Sequence, residues 1–202
     1  MPRPKTRNDD LKDRLLDESI ALLHSEGRAA VTARRVATVA GTSTAAVYEL
    51  FGNKSGLVRS IFFEGFEQLA GRLDDITLSD HAHDDLIALL DATRVFALDH
   101  PMLFEVMFAR PFTEFQPTTD DQHAAERIYS HVVGAVAALL GTRRDAAHTV
   151  DAAHVVVTLN SGLITSELNG LLGRSEQSIR RRRALAIDAT IAGLQINGDS
   201  TG

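Results

Sequence analysis

Apolar side chains recur along this chain at three- and four-residue spacing, and no stretch of useful length alternates with period two. That pattern predicts an all-α protein. Leu15, Ile20, Leu22 and Leu23 predict a first helix over residues 11–25, stopped near Gly27. Val36, Ala37, Val39 and Ala40 give a short apolar face over residues 32–39, and Ala46, Val47, Leu50 and Phe51 give a second over 43–51. Gly41 interrupts the two, and a glycine there takes positive φ without a Cβ clash, as a tight turn between helices requires. Thr42 and Ser43 follow as capping candidates for the second helix. Gly52-Asn53 reads as another turn, with Asn53 or Lys54 opening a long fourth helix to residue 73.

The rest of the chain predicts helices over residues 83–99, 101–109, 121–140, 144–172 and 176–195. Pro101 suits a first helical turn, and Pro111 and Pro117 bound a loop over 111–121 that reads as mobile, a candidate pocket lid. Thr142 with Asp145 resembles a capping pair ahead of the long helix, and Ser175 is expected to cap the last one. On the long helix Gly162, Ser166 and Gly170 form a small-residue stripe at spacing four, which lets a second helix approach closely. Ile187, Ile191 and Leu194 give the last helix an apolar face that a lone protomer would expose, so a homodimer held by these two helices is expected.

Composition narrows the function classes. The 202 residues include no cysteine, which excludes a disulfide framework and Cys-ligated metal sites. No apolar run reaches the roughly 18–20 residues of a membrane span, and the N-terminal basic residues lead into no apolar segment, so a cytoplasmic protein is expected. Net charge is −6, yet residues 1–60 carry ten Lys/Arg against seven Asp/Glu, while residues 61–202 carry eleven against twenty. A basic head on an acidic body suits a protein that presents one end to phosphates. Arg3, Lys5 and Arg7 form a short arm that is either a solvated tail or a groove contact.

Enzyme signatures are absent: there is no G-x-S-x-G, phosphate loop or dinucleotide fingerprint. The eight histidines include His81-x-His83, but neither zinc-finger nor H-E-x-x-H spacing occurs, so no metal and no cofactor are expected. Two alternatives remain: an all-helical protein using His and Asp/Glu for metal-dependent hydrolysis, and a helical module that engages protein rather than DNA.

The string Ala40-Gly41-Thr42-Ser43, Val47-Tyr48, Phe51, Lys54 resembles the tetracycline-repressor (TetR) family of bacterial transcription regulators, with the likeness covering roughly residues 12–60. The resemblance implies a three-helix DNA-binding head (residues 1–54), a helical ligand-sensing and dimerisation domain (residues 55–202), a palindromic double-stranded operator, a small-molecule effector and, most commonly, repression. Thr32 sits where free helix amides accept a phosphate oxygen. By resemblance Arg34 is a base or phosphate contact, Ser43, Thr44, Ala45 and Ala46 open the groove-facing helix, and Tyr48 and Lys54 contact phosphates. Thr44 bonds many bases and Ala45 touches only a thymine methyl, which leaves Arg34 as the leading base reader. Glu49 departs from this pattern, an acid on a flank that approaches phosphates.

Phe96, Met102, Phe104, Met107, Phe108 and Phe112 concentrate apolar bulk within seventeen residues, as core or as the wall of an adaptable pocket. In the pocket reading an apolar or amphipathic effector binds there, with His100 and Asn160 as polar anchors. Asn160 and Glu167 read either as ligand contacts or as solvated groups, and Arg180–Arg183 as a solvated basic face or as partners for acids across a dimer. The run from His100 also resembles a subgroup of the family with a WHG-type C-terminal domain. That pattern falls on Val157, Ser161 and Gly162, and only the glycine is retained.

Overall fold

A computed structural model describes residues 7–109, 111–141 and 145–196. Its helices in chain order are α1 (Arg7–Glu26), α2 (Ala33–Val39), α3 (Thr44–Phe51), α4 (Lys54–Asp74), α5 (Ala82–Asp99), α6 (Pro101–Phe108), α7 (Thr119–Gln122), α8 (Glu126–Leu140), α9 (Ala146–Leu168) and α10 (Glu176–Ile196). Single 3-10 turns lie at Arg28–Ala30 and His123–Ala125, and no strand occurs among the described residues. The chain divides into two compact units, Met1–Gln68 with His100–Ala124, and Leu69–Asp99 with Ala125–Gly202.

In the first unit α1, α2, α3 and the start of α4 bury Leu15, Leu23, Val31, Val36, Val47, Leu57 and Ile61. The Met/Phe-rich segment joins this same core. Phe104, Met107 and Phe112 are buried, and Phe62, Phe66, Phe104, Phe108 and Phe115 make a chain of ring contacts at centroid separations of 4.5–5.6 Å. A Cβ on Gly65 would lie 2.8 Å from Met107 Sδ, so α4 and α6 meet without a side chain between them. These side chains are spent on packing.

The loop after α6 is held by specific contacts. Phe112 and Phe115 anchor it, and Thr118 with Asp121 forms a reciprocal capping box for α7. The Asp121 carboxylate also accepts from Arg59 Nε at 2.5 Å. Burial alone would raise the Asp121 pKa, but donors from Thr118 and Arg59 outweigh it and hold the group below the usual carboxylate range.

In the second unit α8 packs on α5 and α9, α5 on α9, and α9 on α10. Leu86, Leu89, Leu90, Phe96, Val132, Val136, Val156 and Ile164 fill it. Several expectations change here. Asn160 and Glu167 are not solvated: Asn160 donates to the Leu90 carbonyl at 3.2 Å, and Glu167 receives a bidentate fork from Arg94 at 2.7 and 2.5 Å. Arg183 leaves the basic run for the interior and donates to Asn160 Oδ1 at 3.0 Å, while Arg180 pairs with Glu176 of its own chain. Ile187 and Ile191 are buried within the single chain, so a lone protomer does not expose the face expected of them.

The long helix also ends earlier than its apolar run suggests. It stops at Leu168, and Gly170 takes φ +72° with its N–H on the Glu167 carbonyl and that of Leu171 on Ser166. This Schellman closure removes Gly170 from the helical stripe of Gly162 and Ser166. At the other end Asp145 itself caps α9 by accepting from His148 N at 2.7 Å, and Thr142 lies outside the described residues. The helix expected over 121–140 is broken by the 3-10 turn at His123–Ala125. Ser175 caps α10 as expected, accepting from Ser178 N at 3.2 Å.

Candidate nucleic-acid interface

The interface candidate is built on two short helices that are capped at their N-termini by their own sequence. Thr32 Oγ1 accepts from Arg35 N at 3.2 Å and Ser43 Oγ from Ala46 N at 3.1 Å, each meeting one of the amides a helix start leaves open. Between them Gly41 takes φ +67°, and the Thr42 N–H reaches back to the Ala37 carbonyl at 2.9 Å. This turn lets Val36, Ala37, Val47 and Phe51 share one core while the opposite side of α3 stays in water.

On that outer side Ala45 is exposed, Thr44 is half-buried and Tyr48 is 50% exposed. Glu49 is exposed as well. Arg34 is exposed, and among the described residues its guanidinium has no ion-pair partner. Its neighbour Arg35 is occupied by Glu26 at 2.5 Å, and that hydrogen bond holds Glu26 below the usual carboxylate range. Of the two adjacent arginines, Arg34 is the one open to an incoming acceptor.

Lys54 begins α4, with Asn53 ahead of it accepting from Gly56 N at 2.9 Å. Sequence reasoning missed the constraint at Gly56. A Cβ there would fall 1.9 Å from the Phe51 carbonyl oxygen, so only glycine lets α4 start this close to the end of α3. Lys54 Nζ lies 2.6 Å from Glu114 Oε1 and over the Phe112 ring. That pair brings together residues sixty apart, which no local pattern announces. Arg3 and Lys5 of the basic arm lie outside the described residues.

The effector residues proposed from sequence fall into both units. His100, Phe104, Met107, Phe108 and Phe112 belong to the first, and Phe96 and Asn160 to the second. Among the interface residues proposed for a dimer, Gly162 is exposed, Ser166 and Leu194 are half-buried, and Ile187 and Ile191 are buried.

Residues 15–61 match the family model of bacterial regulatory proteins of the tetR family, and residues 86–190, more than half of the chain, match the tetracyclin repressor-like C-terminal domain. The chain belongs to the tetR family. Its fold agrees with that placement. A protein with unknown function from Rhodococcus sp. RHA1 superposes with a TM-score of 0.73 at 25% identity, covering 92% of this chain and 95% of that one. BioQ of Mycobacterium smegmatis superposes at 0.67 and 19% identity over 92% of this chain and 98% of BioQ, and BioQ with its natural double-stranded DNA operator at 0.66 over 91% and 97%. Among curated relatives, an HTH-type transcriptional regulator of Mycobacterium tuberculosis is 26% identical over 124 residues, 59% of this chain and 53% of that protein. The chain thus spans about half the length of the curated relatives it matches. No helix among the described residues of this tetR-family chain is long and apolar enough to cross a membrane.

Proposed function

We propose that this chain is a DNA-binding transcriptional regulator that acts as a homodimer in the cytoplasm, represses from a palindromic operator, and lets go when a small apolar or amphipathic molecule binds residues 55–202. The observation that carries the DNA reading is the capped pair α2 and α3, which leaves Arg34, Ala45 and Tyr48 exposed to water on a packed head. Thr32, Ser43, Thr44 and Lys54 complete the contact set: Thr44 and Ala45 face bases, and Tyr48, Lys54 and the α2 N-terminus meet phosphates. The BioQ–operator structure, on a related fold, supports this use of the head.

Dimerisation through α9 and α10 is supported by what their outer faces expose. Leu185 is 71% exposed on α10, with Ala189 and Ala192 exposed at the four- and seven-residue positions beyond it. Val155 and Gly162 are exposed on α9. The α10 contact face is therefore centred on Leu185 rather than on Ile187 and Ile191, while Gly162 and Ser166 keep their place on α9.

A gel shift with the DNA upstream of the chain's own coding region tests the reading. A single saturable complex whose affinity falls steeply with salt is expected, with Arg34→Ala weakening operator binding by about 1–3 kcal/mol and random DNA far less. Equal losses on both DNAs would make Arg34 a phosphate contact. No complex on any DNA would leave the head as a protein-binding module.

A further inference from the structure

The second unit holds a cavity of about 560 Å³ between α5 and α10, within the size range of small-molecule sites. Its apolar lining comes from Ile87, Val95, Ala184 and Ile187. At its wall stands Arg183, 3% exposed, whose guanidinium has five N–H donors and few acceptors. Nη2 donates to Asn160, Nη1 has no hydrogen-bond partner, and the nearest carboxylate oxygen, of the exposed Asp91, is 3.6 Å from Nη2. We propose that this cavity binds a small monocarboxylate with a short apolar tail, its carboxylate held by Arg183 and its tail by the aliphatic lining.

The neighbouring charges decide the ligand class. Arg94 and Arg180 also line the cavity, Arg94 giving Nε and Nη2 to Glu167 and Glu176, and Arg180 giving Nε to Glu176. Arg183 is the most buried of the three guanidiniums, and its Nη1 has no hydrogen-bond partner, which suits one carboxylate. Asp91 and Asp188, both lining the cavity and mostly exposed, repel a dianion such as a phosphate monoester. Asp188 also faces His83 Nε2 at 3.8 Å. A planar carboxylate matches the fork of a guanidinium in two parallel hydrogen bonds. Asn160, buried behind Arg183 and fixed by the Leu90 carbonyl, holds the fork in place. This proposal does not depend on the DNA reading, and nothing in it uses the head.

Calorimetric titration of the full chain without DNA tests it, with acetate, hexanoate and octanoate as ligands and octanol and octylamine as controls. Octanoate should bind saturably and more tightly than acetate, and both controls should bind at least about tenfold more weakly. Arg183→Met should weaken octanoate by about tenfold or more. Because that variant strips Asn160 of a donor, Ala184→Trp provides a second test at an exposed lining position: it should block octanoate while leaving the helical circular dichroism unchanged. The proposal is overturned if none of the three carboxylates binds the wild type at millimolar concentration, if octanol or octylamine binds equally well, or if octanoate binds Ala184→Trp as tightly as the wild type. Operator binding measured separately keeps these results apart from a failure of the DNA reading.

Discussion

At the scale of single residues, partners distant in sequence decide which charges are available. Asp121 is the clearest case, a carboxylate buried in the first unit and fed by Thr118 N, Thr118 Oγ1 and Arg59. Its folded pKa lies below its unfolded value near 3.9, so its contribution to stability is complete above that value and is lost as pH falls through the folded pKa. Asp121→Ala leaves the Thr118 amide without its acceptor and should cost about 1–3 kcal/mol at neutral pH, measured by urea unfolding. The difference from wild type should shrink below about pH 4; a difference that stays constant into acid would show that the ionised form contributes nothing. Lys54 presents a second case. Its ammonium is neutralised by Glu114, so a DNA phosphate has to displace that carboxylate. Glu114→Gln should therefore tighten operator binding roughly two- to fivefold, the scale of an exposed ion pair, whereas Lys54→Ala should weaken binding to all sequences and lower the salt slope by about one. A Glu114→Gln protein that binds more weakly than wild type would instead make Glu114 a support for the interface.

At the scale of elements, legibility tracks how local the determining signal is. The pair α2 and α3 could be read because Thr32, Gly41 and Ser43 each act within a few residues of their own position. The end of α9 was missed because Leu171 and Leu172 prolong the apolar pattern, although Gly170 after Asn169 carried the local signal of a left-handed helix end. The break before α8 has no comparable marker in the sequence. Which polar groups turn inward could not be read at all, since Asn160, Arg183 and Leu90 meet only through the packing of three helices. The junction of α3 and α4 shows the same divide, because Gly56 sits in an ordinary helical first turn and its constraint comes from Phe51. Gly56→Ala should destabilise by about 1–3 kcal/mol as the two helices are forced apart. Gly71→Ala, in the same helix with open space at its Cβ, should stabilise by about 0.5–1 kcal/mol. Thermal melts of the two variants check this, and equal shifts for both would remove the argument from close approach.

At the scale of the whole molecule, the proposed two-fold assembly has to reconcile a helix that is apolar on two sides. One side of α10 carries Ile187 and Ile191 into the core of its own chain, and the other presents Leu185 to water. An isologous contact places the same patch of each protomer against its mate, so one substitution is felt on both sides of the axis. Leu185→Asp adds a charge where a single chain already meets solvent, so the protomer keeps its fold while the contact between copies is lost. Ile191→Asp buries a charge in the protomer core and should unfold the second unit instead. Light scattering at micromolar concentration, read beside circular dichroism, separates the two. Leu185→Asp is expected as a helical monomer, and Ile191→Asp as a protein that has lost helix. The same monomer should bind a full operator far more weakly, because the two half-sites, roughly 34–36 Å apart, can then no longer be held by one particle. A Leu185→Asp protein that remains a dimer would move the interface off this face of α10.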